Sequence, residues 1–246
     1  MRVETVATGV VLVRGRAVNW VLVLSGGAVT LVDGGYPADA DAVAASLAAV
    51  GRRPGDVMAA LVTHAHVDHI GGLAPLVARH GIPVLTGPTE AGHVRREVLE
   101  QAGPGDVARH AWRPRVLAWA ALAARLGALR HVAVPTATGD AVPGAPLDLP
   151  GGPVPVPTPG HTSGHTAYLL PAAGVLLTGD ALVTGHPTSA RPGPQRLHPL
   201  FDHDPVRAGT ALDTLAGLDA GVLLPGHGPA WYGSPADAVA RARRVR

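Results

Sequence analysis

The chain has 246 residues, 47% of them hydrophobic and 15% charged, which excludes a disordered polypeptide and suffices for one large α/β domain with a substantial core. It has no cysteine, and its 20 basic residues are all arginine, so disulfides, thiolate ligands and cysteine or lysine nucleophiles are excluded. The pI near 9.6 reflects a formal net charge of only +2. The arginines are scattered apart from the tail Arg241-Ala242-Arg243-Arg244-Val245-Arg246, a pattern that solvates a helix end, and no nucleic-acid partner is expected.

The apolar run over residues 6–13 follows Glu4 and closes at Arg14, without a small-residue cleavage site. It reads as a first strand and not as an export signal. No segment reaches the roughly 18 apolar residues of a membrane span, and the expected location is the cytoplasm. Residues 18–24 and 28–32 flank Ser25-Gly26-Gly27 as a hairpin that ends at Asp33. The Ala-rich residues 39–50 predict a helix, and 58–63 a short buried strand. Gly71-Gly72 opens a helix over 73–80, and 82–86 is a further strand. From about 88 to 130 the chain is rich in Ala, Leu and Arg, predicting two or three helices inserted between the halves of the fold. Trp112, Arg113, Arg115 and Trp119 are pocket candidates there, with plain helix core as the alternative for the tryptophans. His93, His110 and His131 carry no evident role. A Pro- and Gly-rich bridge over 142–159 leads to a hairpin of residues 166–170 and 174–177. Residues 181–204 form a long loop, of the kind that is usually functional or mobile. Its histidines His186, His198 and His203 read as surface residues before substrate contacts, the alternative for any of the three. A helix over 205–218, a strand over 221–224 and a helix over 235–246 complete one domain spanning 1–246.

The densest chemistry lies in His64-Ala65-His66-Val67-Asp68-His69, where the strand over 58–63 gives way to a loop. Imidazole and carboxylate are the ligands of zinc and similar divalent ions. On an extended backbone His64 and His66 point the same way and grip one ion, while Asp68 and His69 reach a second. His161 in Pro159-Gly160-His161, Asp180 in Gly179-Asp180 and His227 in Pro225-Gly226-His227-Gly228 follow short apolar runs, each beside a glycine that lets the backbone turn sharply. Two ions fit this set: His64, His66 and His161 around one, Asp68, His69 and His227 around the other, Asp180 bridging. Three protein ligands and a bridge leave a position open for water, the mark of a catalytic site.

The ordered motifs H-x-H-x-D-H, G-H-T, G-D and P-G-H-G resemble the metallo-β-lactamase superfamily of metallohydrolases, and most closely its branch of glyoxalase II, lactonases and related ester and thioester hydrolases. The resemblance covers about residues 19–229 and fills all seven ligand positions: His64, His66, Asp68, His69, His161, Asp180 and His227. It implies an α/β fold, an αβ/βα four-layer sandwich with an inserted helical segment, and a metal centre at one edge between the sheets. It also implies that Asp33 supports the metal loop, although an aspartate capping a turn reads equally well from the residues alone. It names no substrate, because one scaffold hosts many chemistries.

Two divalent ions, zinc before iron or manganese, would acidify a shared, metal-bridging water for attack on an acyl carbon. Asp68 would orient that nucleophile and pass a proton to the leaving group. No G-x-S-x-G elbow offers a covalent route. Only about twenty residues follow His227, which weakens glyoxalase II proper, and the missing export signal weakens a secreted β-lactamase. A small-molecule ester, lactone or thioester is the expected substrate, with Tyr168 and Tyr232 as possible phenol donors. The alternatives on this scaffold are a single-iron persulfide dioxygenase, against which the full second-metal set argues, a β-lactam or phosphodiester hydrolase, and a non-enzymatic member.

Overall fold

A computed structural model describes residues 1–244. Strands β1 (Arg2–Ala7), β2 (Val10–Arg14), β3 (Asn19–Ser25) and β4 (Ala28–Val32) form an antiparallel meander. Residues 6–13 therefore do not make one strand. Gly9 turns the chain at φ 70°, a conformation that costs glycine little, and the run is split between β1 and β2. Helix α1 (Ala40–Ala49) carries the chain to β5 (Val57–Leu61), which pairs parallel with β4. After the short α2 (Val67–Ile70) and α3 (Leu73–His80), β6 (Val84–Leu85) closes a six-stranded sheet in sequential order. The inserted segment folds as three helices, α4 (Glu90–Val94), α5 (Pro104–Ala108) and α6 (Pro114–Leu126).

The second sheet contains β7 (Val154–Pro157), β8 (Thr166–Leu170), β9 (Val175–Gly179), β10 (Val222–Pro225) and β11 (Trp231–Tyr232), ordered β11-β10-β9-β8-β7. β9 and β10 pair in parallel, linked by the 181–204 loop and helix α7 (Pro205–Ala216), and α8 (Pro235–Arg244) follows. The helix expected over 235–246 is present to Arg244, and the remainder of that expectation lies outside the described residues.

The inner strands are apolar on both faces because both faces are covered. In β2 and β3, Val10, Leu12, Val21 and Val23 meet Tyr168, Leu170, Val175 and Leu177 of the other sheet. Their neighbours Val11, Val13, Trp20 and Leu22 pack outward beside Val43 and Leu47 of α1, Leu73 and Leu76 of α3, and Leu126 of α6. A third cluster joins Leu176 and Leu223 to Leu212 and Leu215 of α7 and Val239 of α8. The result is the αβ/βα sandwich expected from the motifs. Each fully buried Leu or Val in these layers contributes about 1.5–3 kcal/mol of transfer free energy. Loops following β4, β5, β9 and β10 all emerge at one edge, which brings distant polar residues together. Among the described residues no helix is long and apolar enough to cross a membrane.

Candidate metal centre

His64 and His66 follow β5, Asp68 and His69 stand on α2, His161 sits in the turn between β7 and β8, Asp180 follows β9 and His227 follows β10. These seven side chains, separated by up to 163 positions in sequence, converge on one small volume. The Nε2 atom of His227 lies 3.2 Å from Asp180 Oδ2 and 3.4 Å from Asp68 Oδ2. His161 Nε2 lies 3.5 Å and His64 Nε2 4.0 Å from the same Asp180 oxygen. Asp180 Oδ1 faces His69 Nε2 at 3.5 Å. Asp180 thus touches both halves of the cluster, as a bridge requires. Three groups have donor atoms mutually within 4.8 Å: His64, His66 and His161; His64, His69 and Asp180; Asp68, His69 and His227.

The outward nitrogens fix the tautomers. Asp33 Oδ2 accepts from His69 Nδ1 at 2.8 Å, Asp202 Oδ1 from His161 Nδ1 at 3.2 Å, and the Ala17 carbonyl from His227 Nδ1 at 2.7 Å. The Glu100 carbonyl accepts from His66 Nε2 at 2.8 Å. The Thr63 hydroxyl donates to Asp33, so at 3.1 Å it accepts from His64 Nδ1. Each imidazole therefore spends its N–H outward and turns its other nitrogen inward, the arrangement by which outer partners orient metal-binding histidines. His64 Nε2, His69 Nε2 and Asp180 Oδ1 are buried without a hydrogen-bond partner. His66 Nδ1 and His161 Nε2 face each other at 3.0 Å. Inward lone pairs this close call for a cation, and an N and O donor set of this kind fits divalent zinc, iron or manganese.

Burial depresses the imidazoles of His64 and His66, with neighbouring histidines adding to the effect, and His66 falls to about 3. Burial acts the same way on His69 and His227, but the carboxylates outweigh it. Asp180, Asp33 and Asp68 push His69 well up, and Asp180 and Asp68 raise His227 to about 10. Burial would raise Asp68 and Asp180, yet His69 and His227 hold both below the usual carboxylate range. The inner position of His69 and His227 consequently holds a proton or a cation.

Several braces carry no signal that single-sequence reading could use. Glu90 of α4 is fully buried; Oε1 accepts the Ala65 amide at 2.7 Å and Oε2 the Thr162 hydroxyl at 2.8 Å, joining two ligand loops. Asn19 donates to the carbonyls of Pro225 and Gly228 at 2.9 and 2.7 Å, steadying the His227 loop. His165 lay in plain sight in the G-H-T-S-G-H run, yet it is a brace and not a member of the inward set. Its Nε2 accepts the Asp180 amide at 3.1 Å and its Nδ1 bonds Thr158 at 2.8 Å. Asp33 sits in the supporting position and not merely at a turn, accepting also from the Thr63 amide at 2.9 Å.

Around the centre, other expectations change. Tyr168 is buried between the sheets and donates to the Val62 carbonyl, while Tyr232 is exposed on β11, so neither phenol faces the cluster. Trp112 is exposed, with Arg113 stacked 5.0 Å from its ring centre, and is neither core nor pocket wall. Arg113 donates to His198 at 3.0 Å and Arg115 reaches the Ser189 carbonyl at 3.5 Å, tying α6 to the 181–204 loop. His203 is exposed as expected, but His186 is half-buried with its ring centre 4.8 Å from that of His227. His93 is buried, 3.3 Å from Ser163 Oγ.

A four-layer α/β sandwich with a histidine and aspartate cluster at one sheet edge defines a class of metal-binding hydrolase folds. The chain belongs to the metallo-β-lactamase superfamily, whose sequence profile matches residues 13–227. It is 33% identical to the hydroxyacylglutathione hydrolase of Anaeromyxobacter dehalogenans over 208 residues, 84% of this chain and 59% of that protein. The probable metallo-hydrolase YflN of Bacillus subtilis is 28% identical over 214 residues, 80% of this chain and 74% of that protein. The chain spans about three-fifths of the length of the hydroxyacylglutathione hydrolases it matches. Among solved structures, the metallo-β-lactamase family protein TTHA1429 of Thermus thermophilus superposes with a TM-score of 0.64 at 27% identity, covering 98% of this chain and 79% of that one. A variant metallo-β-lactamase from Cronobacter sakazakii shares the fold at 20% identity, with a TM-score of 0.69 over 100% of this chain and 95% of that one.

Proposed function

We propose that this protein is a dinuclear metal-dependent hydrolase that cleaves an ester, lactone or thioester bond in a small molecule of the cytoplasm. The observation that carries the reading is the forced inward orientation of five imidazoles around Asp180. His64, His66 and His161 would hold one ion and Asp68, His69 and His227 the other, with Asp180 between them and zinc the expected metal. Bound ions of this kind supply an acidified water and a Lewis acid for an acyl oxygen. The names of the hydroxyacylglutathione hydrolase relatives support acyl transfer to water.

The protein's own groups do the rest. Asp68 is half-buried at the rim of the cluster and, held ionised by His69 and His227, accepts a hydrogen bond from the attacking water and thereby orients it. The same carboxylate is placed to carry a proton to the leaving alkoxide or thiolate. Asp33, Asp202, the Thr63 hydroxyl and the Ala17 and Glu100 carbonyls keep each imidazole from rotating, so the donor set is preorganised. Trp119 of α6 packs against Phe201 and His186 of the 181–204 loop, and His186 in turn packs against His227.

The test is a pH-indicator hydrolysis panel on zinc-loaded protein, with His161→Ala in parallel, spanning lactones, acyl thioesters, aryl esters and a chromogenic β-lactam. Turnover of a lactone, ester or thioester that disappears in the variant is the expected result. Silence on all four classes in protein carrying two zinc ions would overturn the acyl-hydrolase reading and favour a dioxygenase or phosphodiesterase.

A further inference from the structure

The stretch from Glu90 of α4 to Gln101, ahead of α5, holds the backbone between the first two ligands. The Ala65 peptide lies between His64 and His66 and is gripped on both sides. Its N–H donates to Glu90 Oε1, and its carbonyl accepts from Arg96 Nη1 at 2.7 Å. Further on, the Val67 N–H donates to Gln101 Oε1 at 3.0 Å. The same stretch holds the His161 loop, where the Ser163 N–H donates to Glu100 Oε2 at 2.6 Å. His69 and His227 take their outward partners elsewhere, from Asp33 after β4 and the Ala17 carbonyl ahead of β3. The insertion thus frames the half of the centre formed by His64, His66 and His161.

Arg96 stands out in this frame. Its backbone is left-handed at φ 64°, a conformation that costs any residue with a Cβ. Among the described residues it shares a positive φ with only one other non-glycine residue, Asp33, which braces His69. Such strain persists where the surroundings over-determine it, and it gathers at functional sites. The Arg96 side chain is half-buried, with Nη1 on the Ala65 carbonyl and Nε on the Val132 carbonyl at 2.6 Å. The rigid guanidinium fork lets one side chain tie the ligand loop to the segment after α6.

We infer that Arg96 is a positioning residue for the ion held by His64, His66 and His161, fixing the Ala65 peptide and through it the separation of two ligand imidazoles. On an extended backbone His64 and His66 share a face across Ala65, so a turn of that peptide would swing both rings. Glu90 at the N–H and Arg96 at the carbonyl oppose the turn from both sides, and a cationic donor makes the stronger hydrogen bond. The inference rests on the two-ion hydrolase reading and adds to it that the two ions are framed separately.

The test is a chelator competition that resolves both zinc affinities of the full-length protein. Arg96→Gly removes the guanidinium and suits the left-handed backbone, and Arg96→Lys returns a cationic donor at nearly the same reach. The expected result is that Arg96→Gly weakens one of the two zinc affinities about tenfold, leaves the other within about twofold, and is largely restored by Arg96→Lys. In a His161→Ala background, which removes a ligand of the ion in question, adding Arg96→Gly should leave the affinity of the remaining ion unchanged. Unchanged affinities in Arg96→Gly, equal weakening of both ions, or Arg96→Lys as weak as Arg96→Gly would each overturn the inference. Should Arg96→Gly not fold, Arg96→Asn takes its place, since asparagine tolerates the same backbone and is too short to reach Ala65. Failure of both to fold would make Arg96 a folding residue and overturn the positioning role. Selective weakening in protein that turns over no panel substrate would sink the hydrolase reading and leave Arg96 standing. Turnover with both zinc affinities indifferent to Arg96 would do the reverse.

Discussion

Asp33 and His69 lie 36 positions apart, yet the Asp33 carboxylate accepts the His69 Nδ1 proton at 2.8 Å on the side facing away from the cluster. This contact decides which nitrogen of His69 turns inward. Asp33 occupies a left-handed backbone conformation at φ 59°, which aspartate and asparagine tolerate better than other non-glycine residues. Asp33→Asn should therefore fold normally while weakening the grip on His69. Zinc affinity of the half of the site containing Asp68, His69 and His227 should drop about 10- to 100-fold, measured by competition with a calibrated chelator.

Glu90 has a structural role that substitution separates from chemistry. Burial raises its carboxyl above the ordinary value, and it satisfies both the Ala65 amide and the Thr162 hydroxyl. Glu90→Ala strands those two buried groups and should cost about 2–4 kcal/mol in urea unfolding of the metal-free protein. Glu90→Gln retains an acceptor for Ala65 and should cost less than half as much. Equal losses in the two variants would contradict the bracing role.

Gly226 has no room for a side chain. A Cβ there would meet the Asp180 carboxylate and, at 2.8 Å, the His69 ring. Gly226→Ala is expected to keep a native far-ultraviolet circular dichroism spectrum and to retain at most one tightly held zinc ion per chain, as read by atomic emission after dialysis.

Metal and proton compete for the same nitrogens. His227 is raised to about 10 and His69 is also raised, in each case by carboxylates that outweigh burial. Below that range the inner nitrogens carry protons that a cation must displace. Zinc affinity should thus fall as pH falls, by about tenfold per pH unit for each proton released. Calorimetry at pH 7.5 in buffers of different ionisation enthalpy should register net proton release on zinc binding, and proton uptake would contradict the assignment.

The sequence was most legible where physics is local. Two apolar runs on either side of Ser25-Gly26-Gly27 predict the β3–β4 hairpin, and Gly71-Gly72 marks the start of α3. The seven inward residues could be read because each sits beside a glycine or within a dense histidine run. The supports could not, since Glu90, Asn19 and Asp202 act through contacts set only by tertiary structure. His186 looked like His198 and His203 in sequence, and only the packing of α6 against the 181–204 loop sets it apart. The two-residue β11 is too short to leave a periodic signal.

The most direct test of the central claim is a zinc titration of metal-free protein with hydrolysis of the best panel substrate followed at each step. The account predicts that activity rises with the second equivalent and reaches its plateau at two zinc ions per chain. Full activity at one equivalent, or activity seen only with iron and accompanied by oxygen consumption, would contradict it.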